Sequence, residues 1–284
     1  MQYGISCTRP WGDDFYKKLK SFGFDCYDFK MTGTENPPYI YDDRGFEDFL
    51  KNQKKLAHEA GVTINQAHGP WRYPVFDSTP EERAERLEKM TRSIHGAAIL
   101  EAKYWVIHPI MPFGTKDLLT DHVSEARQIN LEFMYKLLQI GKREGVTVCL
   151  ENMPYTDLSI SSPTSVAEFV REMNDPYFAM CLDTGHANKK TDWLTPANTV
   201  RKYSDIVKVL HVHDNRGSRD EHLLPFFGTV DWLDLSKALH ETGFNGVFSL
   251  ECAPSAALPH DILEDMYLIY FRTAKAAYEC CITL

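Results

Sequence analysis

The chain has 284 residues, a formal net charge of −9 and 43% hydrophobic residues, enough apolar material for a full globular core. No uninterrupted apolar run approaches membrane-spanning length, MQYGISCTRPWG lacks the basic-then-apolar order of a signal peptide, and the acidic balance counts against nonspecific nucleic-acid binding. The 7 Cys are odd in number, dispersed and partly inside predicted strands, which suits a reducing cytoplasm rather than a disulfide framework.

Strands and helices alternate along the whole chain. A strand over 3–6 precedes a helix near 13–22, and a strand over 24–29 precedes a helix near 45–60 that ends at Gly61. A third strand over 63–68 leads into a long helix over 79–101, with Thr79 as cap, Pro80 at the first helical position and Glu82 three residues after the cap. The strand over 104–108 precedes a helix over 121–144 closed by Gly145. The strand over 146–151 precedes the helix opened by SPTSVAEFV. Strands over 178–183, 206–213 and 246–251 then precede helices near 195–203, in VDWLDLSKALHETG, and near 262–280. Eight such repeats without a linker predict one α/β domain over residues 1–284, a (β/α)8 barrel; barrels of this kind run to about 250 residues. An open doubly wound sheet would carry a glycine-rich phosphate loop after its first strand, and CTRPWGDD carries none.

Five of the strands run out at a group able to hold a metal. YWVIHP ends at His108, VTVCLEN at Glu151, FAMCLDTGH at Asp183, VKVLHVHD at His211 and GVFSLE at Glu251. Strand C-termini share one face of a barrel, so these groups converge although they are scattered in sequence. The phase agrees. Cys149, Cys181 and Ser249, two residues earlier, are small, as a crowded barrel interior requires. Val148, Leu150, Met180, Leu182, Phe248 and Leu250, on the alternate face, are large. Buried carboxylates are costly unless a metal or a set of cations neutralises them.

Around these ends lie further polar groups. In CLDTGHAN, Asp183 and His186 are spaced to face one ion or one substrate, although an Asp here also serves as a helix cap. HVHDNRGSRDEHLL carries His211 and His213 on one face, either of them a candidate ligand, followed by Arg216, Asp220 and His222. His68 in NQAHGPW and His108 in VIHP complete a ring. Trp11, Trp71, Phe113 and Phe226 lie in predicted βα loops, where they could stack on a sugar face or cap the barrel.

In this order AHGP, VIHP, LEN, LDTGH, DEHL, GTVDW and SLE resemble the xylose isomerase-like barrel superfamily, which holds sugar isomerases, ketose 3-epimerases, inosose dehydratases and endonuclease IV, the family-2 abasic-site endonuclease. The resemblance covers nearly the whole chain. It implies Glu151, Asp183, His211 and Glu251 as the shared metal ligands, with His186 and Arg216 meeting substrate. His68, His108, His186, Asp220 and His222 match the extra zinc ligands of endonuclease IV, and they also match residues retained in single-metal sugar enzymes. LENMP and PFFGTVDW depart from the patterns typical of ketose 3-epimerases.

The expected function is a metal-dependent sugar or sugar-phosphate isomerase or epimerase that moves a proton through an enediolate. Glu151 and Glu251 are its acid and base, and His68, His108, His186, Arg216 and Trp71 bind substrate. One tightly held divalent ion (Mn, Zn, Co or Mg) is expected. The expected partner is a small sugar, with no nucleic acid and no membrane; a homo-oligomer is compatible with the sequence. The rival reading is an endonuclease IV-like zinc hydrolase of abasic DNA. It would need several ions and a basic groove, and no Lys/Arg-rich loop lies between the strand ends. A sugar-binding barrel without chemistry would have no need of intact carboxylates.

Overall fold

The computed structural model describes residues 1–6, 14–31, 41–71, 75, 77–189 and 191–283. Eight strands follow one another as β1 (Gln2–Ser6), β2 (Cys26–Lys30), β3 (Gln66–His68), β4 (Tyr104–Ile107), β5 (Thr147–Glu151), β6 (Phe178–Asp183), β7 (Val207–His211) and β8 (Val247–Leu250). Every paired neighbour is parallel, in the order β7-β6-β5-β4-β3-β2-β1-β8. Just beyond β7, Val212 donates to the Ser249 carbonyl and accepts from Glu251, so the sheet nearly closes on itself. This is the expected single (β/α)8 barrel.

Helices α1 (Phe15–Phe22), α2 (Asp43–Glu59), α3 (Pro80–Ile99), α4 (Val123–Glu144), α5 (Pro163–Met173), α6 (Thr184–Ala187), α7 (Pro196–Tyr203), α8 (Trp232–Glu241) and α9 (His260–Thr283) connect the strands or follow the last. Their ends follow the capping chemistry of the sequence. Thr79 and Glu82 form a reciprocal capping box with Pro80 at the first helical position, and Gly145 closes α4 at φ 72°. Among the described residues no helix is long and apolar enough to cross a membrane.

The alternation expected along the strands is observed. Val148, Leu150, Met180, Leu182, Phe248 and Leu250 join the main apolar layer between sheet and helices. Cys149 and Cys181 face inward with Tyr104, Val106, Ala179 and Val209, in a separate cluster inside the barrel. Above this plug the strands end in polar groups.

Several elements end elsewhere than expected: β3 is only Gln66–His68, and β4 and β8 stop at Ile107 and Leu250, which leaves His108 and Glu251 one residue past their strands. β2 runs one residue further than expected and brings Lys30 into the sheet, opposite His68. β7 stops at His211, so His213 lies beyond the strand. α6 was not anticipated; it is a single turn started by Asp183, whose Oδ1 accepts from the His186 amide at 2.6 Å.

Candidate metal centre and active site

At the C-terminal mouth, Glu151 is the hub. Its carboxylate lies 3.3 Å from His68 Nε2, 3.4 Å from His108 Nε2, 3.5 Å from His186 Nδ1 and 3.3 Å from His211 Nδ1. His211 Nδ1 also lies 3.1 Å from Glu251. It is buried, yet it makes no hydrogen bond of acceptable geometry. Glu151, Asp183, His211 and Glu251 each offer a ligand atom within 4.8 Å of the others. Buried imidazole and carboxylate donors at this spacing could hold a divalent cation.

Two flanking groups meet the same spacing: His68, His108 and Glu151; and His186, His213, Asp220 and His222. Three of these imidazoles are oriented alike. His68 Nδ1 bonds the Gly69 carbonyl at 2.9 Å, His186 Nδ1 the Asn152 carbonyl at 2.7 Å and His222 Nδ1 the Glu251 carbonyl at 2.7 Å. A carbonyl can only accept, so Nδ1 donates in each case and Nε2 is left facing a carboxylate. That carboxylate is Glu151 for His68, at 3.3 Å, and Asp220 for His186 and His222, at 3.2 and 3.3 Å. Metal-ligating histidines are held in this way, with the remote nitrogen tied to backbone.

Without an ion, protons fill the role of the cation. Burial would lower the His186 pKa, but Asp183, Asp220 and Glu151 raise it to about 10. His222 rises to about 9, with burial again outweighed by Asp220, Glu251 and Asp183. Burial would raise the carboxyls of Glu151 and Glu251, but His211, His108 and His68 hold Glu151 well below the usual range, and His211 with the Lys30 ammonium holds Glu251 there. His108 goes the other way, since burial lowers it more than Glu151 lifts it. A divalent ion binding here would displace protons from imidazole.

The strand ends are held in place by neighbouring polar residues, among them His213, which the sequence offered as a ligand alternative to His211. Asn152 bridges β5 and β6, accepting from the Asp183 amide at 2.9 Å and donating to the Asp183 carbonyl at 3.0 Å. His213 is fully buried, with Nε2 3.0 Å from the Asp183 carboxylate and its ring stacked on His222 at 4.0 Å. Asp214 accepts from the amides of Asn215, Gly228 and Val230 and from Trp232 Nε1, which fixes the loop carrying Asp220 and His222. One layer below the mouth, the Asp28 carboxylate accepts from Gln66 and Ser249. These three stand two residues before Lys30, His68 and Glu251, and they tie β2, β3 and β8 at one height. Burial raises the Asp28 pKa to about 6, against the pull of Ser249, His211 and Gln66.

A cavity of about 200 Å³ opens over this ring, with Glu151, Glu251, His68, His108, His186, Asp220 and His222 in its wall. Trp71 lies at the rim, tilted over His108 with ring centroids 5.3 Å apart. Met111, Met153 and Tyr155 add apolar surface, and Lys30 and Arg86 add cations. Arg86 is paired with Asp77, which also accepts from the Met111 amide at 2.9 Å.

Asp183 and His211 are not in the cavity wall, but both belong to the candidate ligand group with Glu151 and Glu251. Arg216 does not join them. Its guanidinium binds Glu221 at 2.7 Å, its side chain is 59% exposed, and it is not in the cavity wall. The loop turns back after Asn215, so proximity in sequence to His211 does not carry Arg216 to the mouth. Phe113 stacks on His122 and Phe226 lies against Trp232, both away from the cavity wall. Trp11 lies outside the described residues.

The profile of the xylose isomerase-like TIM barrel family matches residues 16–268. The chain belongs to that family. An uncharacterized protein of Methanocaldococcus jannaschii is 31% identical over 188 residues, 63% of this chain and 62% of that one, so the match spans under two thirds of the relative. The D-psicose 3-epimerase of Ruminiclostridium cellulolyticum is 23% identical over 270 residues, 88% of this chain and 83% of its own. The crystal structure of a D-tagatose 3-epimerase-like protein superposes with a TM-score of 0.76 at 23% identity, covering 100% of this chain and 99% of that one. At this identity the superposition speaks for the fold.

Proposed function

We propose that the chain, as one barrel domain over residues 1–284, is a metal-dependent sugar or sugar-phosphate isomerase or epimerase. The observation that carries this reading is the pair Glu151 and Glu251, 3.3 and 3.1 Å from a His211 Nδ1 that makes no hydrogen bond, at the floor of a cavity sized for a small ligand. The likeness to D-psicose 3-epimerase over 88% of the chain supports it.

Glu151, Asp183, His211 and Glu251 would hold the ion; Mn, Zn, Co and Mg all suit mixed imidazole and carboxylate donors. The ion supplies Lewis acidity, polarising a carbonyl and making the adjacent C–H more acidic. The rest falls to side chains. One of Glu151 and Glu251 takes the proton from carbon, and the other returns a proton to the same carbon's opposite face or to its neighbour. The choice between those two carbons separates epimerisation from isomerisation. His108 and His186 offer hydrogen bonds to sugar hydroxyls. Trp71 offers an aromatic face at the rim, and the buried apolar wall keeps water from the exposed carbanion.

A second reading is favoured by one observation, the two flanking groups of ligand-grade spacing. With ions in all three groups, the site would suit phosphodiester cleavage of abasic DNA, in which attacking and leaving oxygens are both stabilised. Chelated protein resupplied with Mn, Co, Zn or Mg, then tested on a ketose panel and on abasic DNA, separates the two. Metal-restored ketose interconversion supports the first, and metal-restored strand cleavage without it overturns it.

A further inference from the structure

Lys30 is the last residue of β2 and lies in register with His68. Its side chain shares a face with Asp28, which is buried inside the barrel, so it rises into the mouth one layer above. It lines the same cavity as His68, Glu151 and Glu251. The ammonium Nζ is 3.7 Å from Glu251 Oε1, beyond hydrogen-bond distance, and the side chain is 24% exposed. Among the described residues this is its one ion pair, and its ammonium makes no hydrogen bond.

A stability role does not account for such a residue. A partly exposed pair beyond hydrogen-bond distance contributes little, and it immobilises a long side chain. Glu251 is moreover a proposed metal ligand. A divalent ion there would repel an ammonium so close by, unless an anionic oxygen stood between them. The position therefore suits a donor that is satisfied by an occupant of the cavity, on the side where Glu251 lies. Preorganised cations of this sort act where charge develops during reaction.

Resting on the isomerase or epimerase reading, we propose that Lys30 is a further catalytic residue, whose ammonium hydrogen-bonds the substrate oxygen that gains negative charge as the adjacent carbon loses its proton. The C–H bond breaks, its proton passes to the carboxylate acting as base, and its electron pair moves toward the carbonyl oxygen. Lys30 keeps its own proton throughout and stabilises the oxyanion. A charged hydrogen bond of this kind corresponds to about 10- to 100-fold in affinity for an anionic mimic of that state.

The probe is glycolohydroxamate, a planar anion with two adjacent oxygens like an enediolate, and the control is the neutral polyol xylitol. Calorimetry on metal-loaded wild type, Lys30→Met and Lys30→Arg, with metal content measured on each sample, reads the effect without turnover. Lys30→Met should weaken glycolohydroxamate about 10- to 100-fold, with metal content and xylitol affinity unchanged, and Lys30→Arg should retain most of the affinity. Equal binding by Lys30→Met, parallel loss of metal or of xylitol, or no hydroxamate binding by wild type would each overturn the proposal. If Lys30 governs hydroxamate affinity while no ketose is interconverted, the functional reading fails and the oxyanion-donor role stands.

Discussion

Asp28 offers a quantitative check on the polar floor beneath the site. It is fully buried, and its pKa is lifted from 3.8 to about 6 by burial. A carboxyl whose folded pKa exceeds its unfolded value binds more protons when folded. Stability therefore falls as pH rises through the window between the two, here about 3.8 to 6, and the loss is complete above it. A separation of about two pH units at about 1.4 kcal/mol each gives a loss of about 3 kcal/mol. Asp28→Asn removes the ionisation but keeps an oxygen to accept from Gln66 and Ser249, and its amide nitrogen takes the place of an Oδ1 that has no partner in the parent. The variant should match the parent near pH 4 and exceed it by about 3 kcal/mol at pH 8. Urea unfolding of metal-free protein from pH 4 to 8 measures the difference, with equal slopes required for the comparison. A difference that stays constant over this range would refute the reasoning.

Further expectations follow from the site geometry. Glu151→Gln should lower metal affinity by about 100-fold or more and leave the fold intact, because Glu151 is shared by three candidate ligand groups; Glu251→Gln should reduce metal content without disturbing His108. Elemental analysis of protein purified without chelator should give one tightly bound ion per chain, whereas two or three zinc ions together with abasic-DNA cleavage would favour the nuclease. His186→Ala should cost about 1–3 kcal/mol in kcat/KM, while Arg216→Ala should stay within about 0.5 kcal/mol, as for an exposed charge; steady-state kinetics on the substrate identified by the ketose panel compares them. Asp214→Ala strands four donors and should cost about 3 kcal/mol or more of stability, read by urea midpoint.

The barrel was legible because its signals are local. Small-large alternation in VTVCLE and FAMCLD set the strand phase, and Thr79-Pro80 and Gly145 set helix ends. The convergence of Glu151, Asp183, His211 and Glu251 followed from phase and topology together. What escaped depended on contacts between distant segments. Lys30 escapes sequence reading because nothing in YDFK marks where the strand ends, and its inclusion in β2 is decided by pairing with His68. The Asp28, Gln66 and Ser249 cluster joins strands that no local pattern relates. Arg216 was expected at the mouth, but its pairing with Glu221 turns it outward, which spacing from His211 could not reveal. His213 shares the phase of His211 but lies beyond the strand, against Asp183.

Solvent hydrogen exchange tests the central claim most directly. Ketoses incubated in D2O with metal-loaded protein, followed by proton NMR, should acquire deuterium on a carbon adjacent to the carbonyl. The signal should vanish on chelation, return with added metal, and be absent in Glu151→Gln and Glu251→Gln that retain their fold. Exchange into no ketose of the panel, by protein shown to carry its metal, would contradict a proton-transfer function for this site.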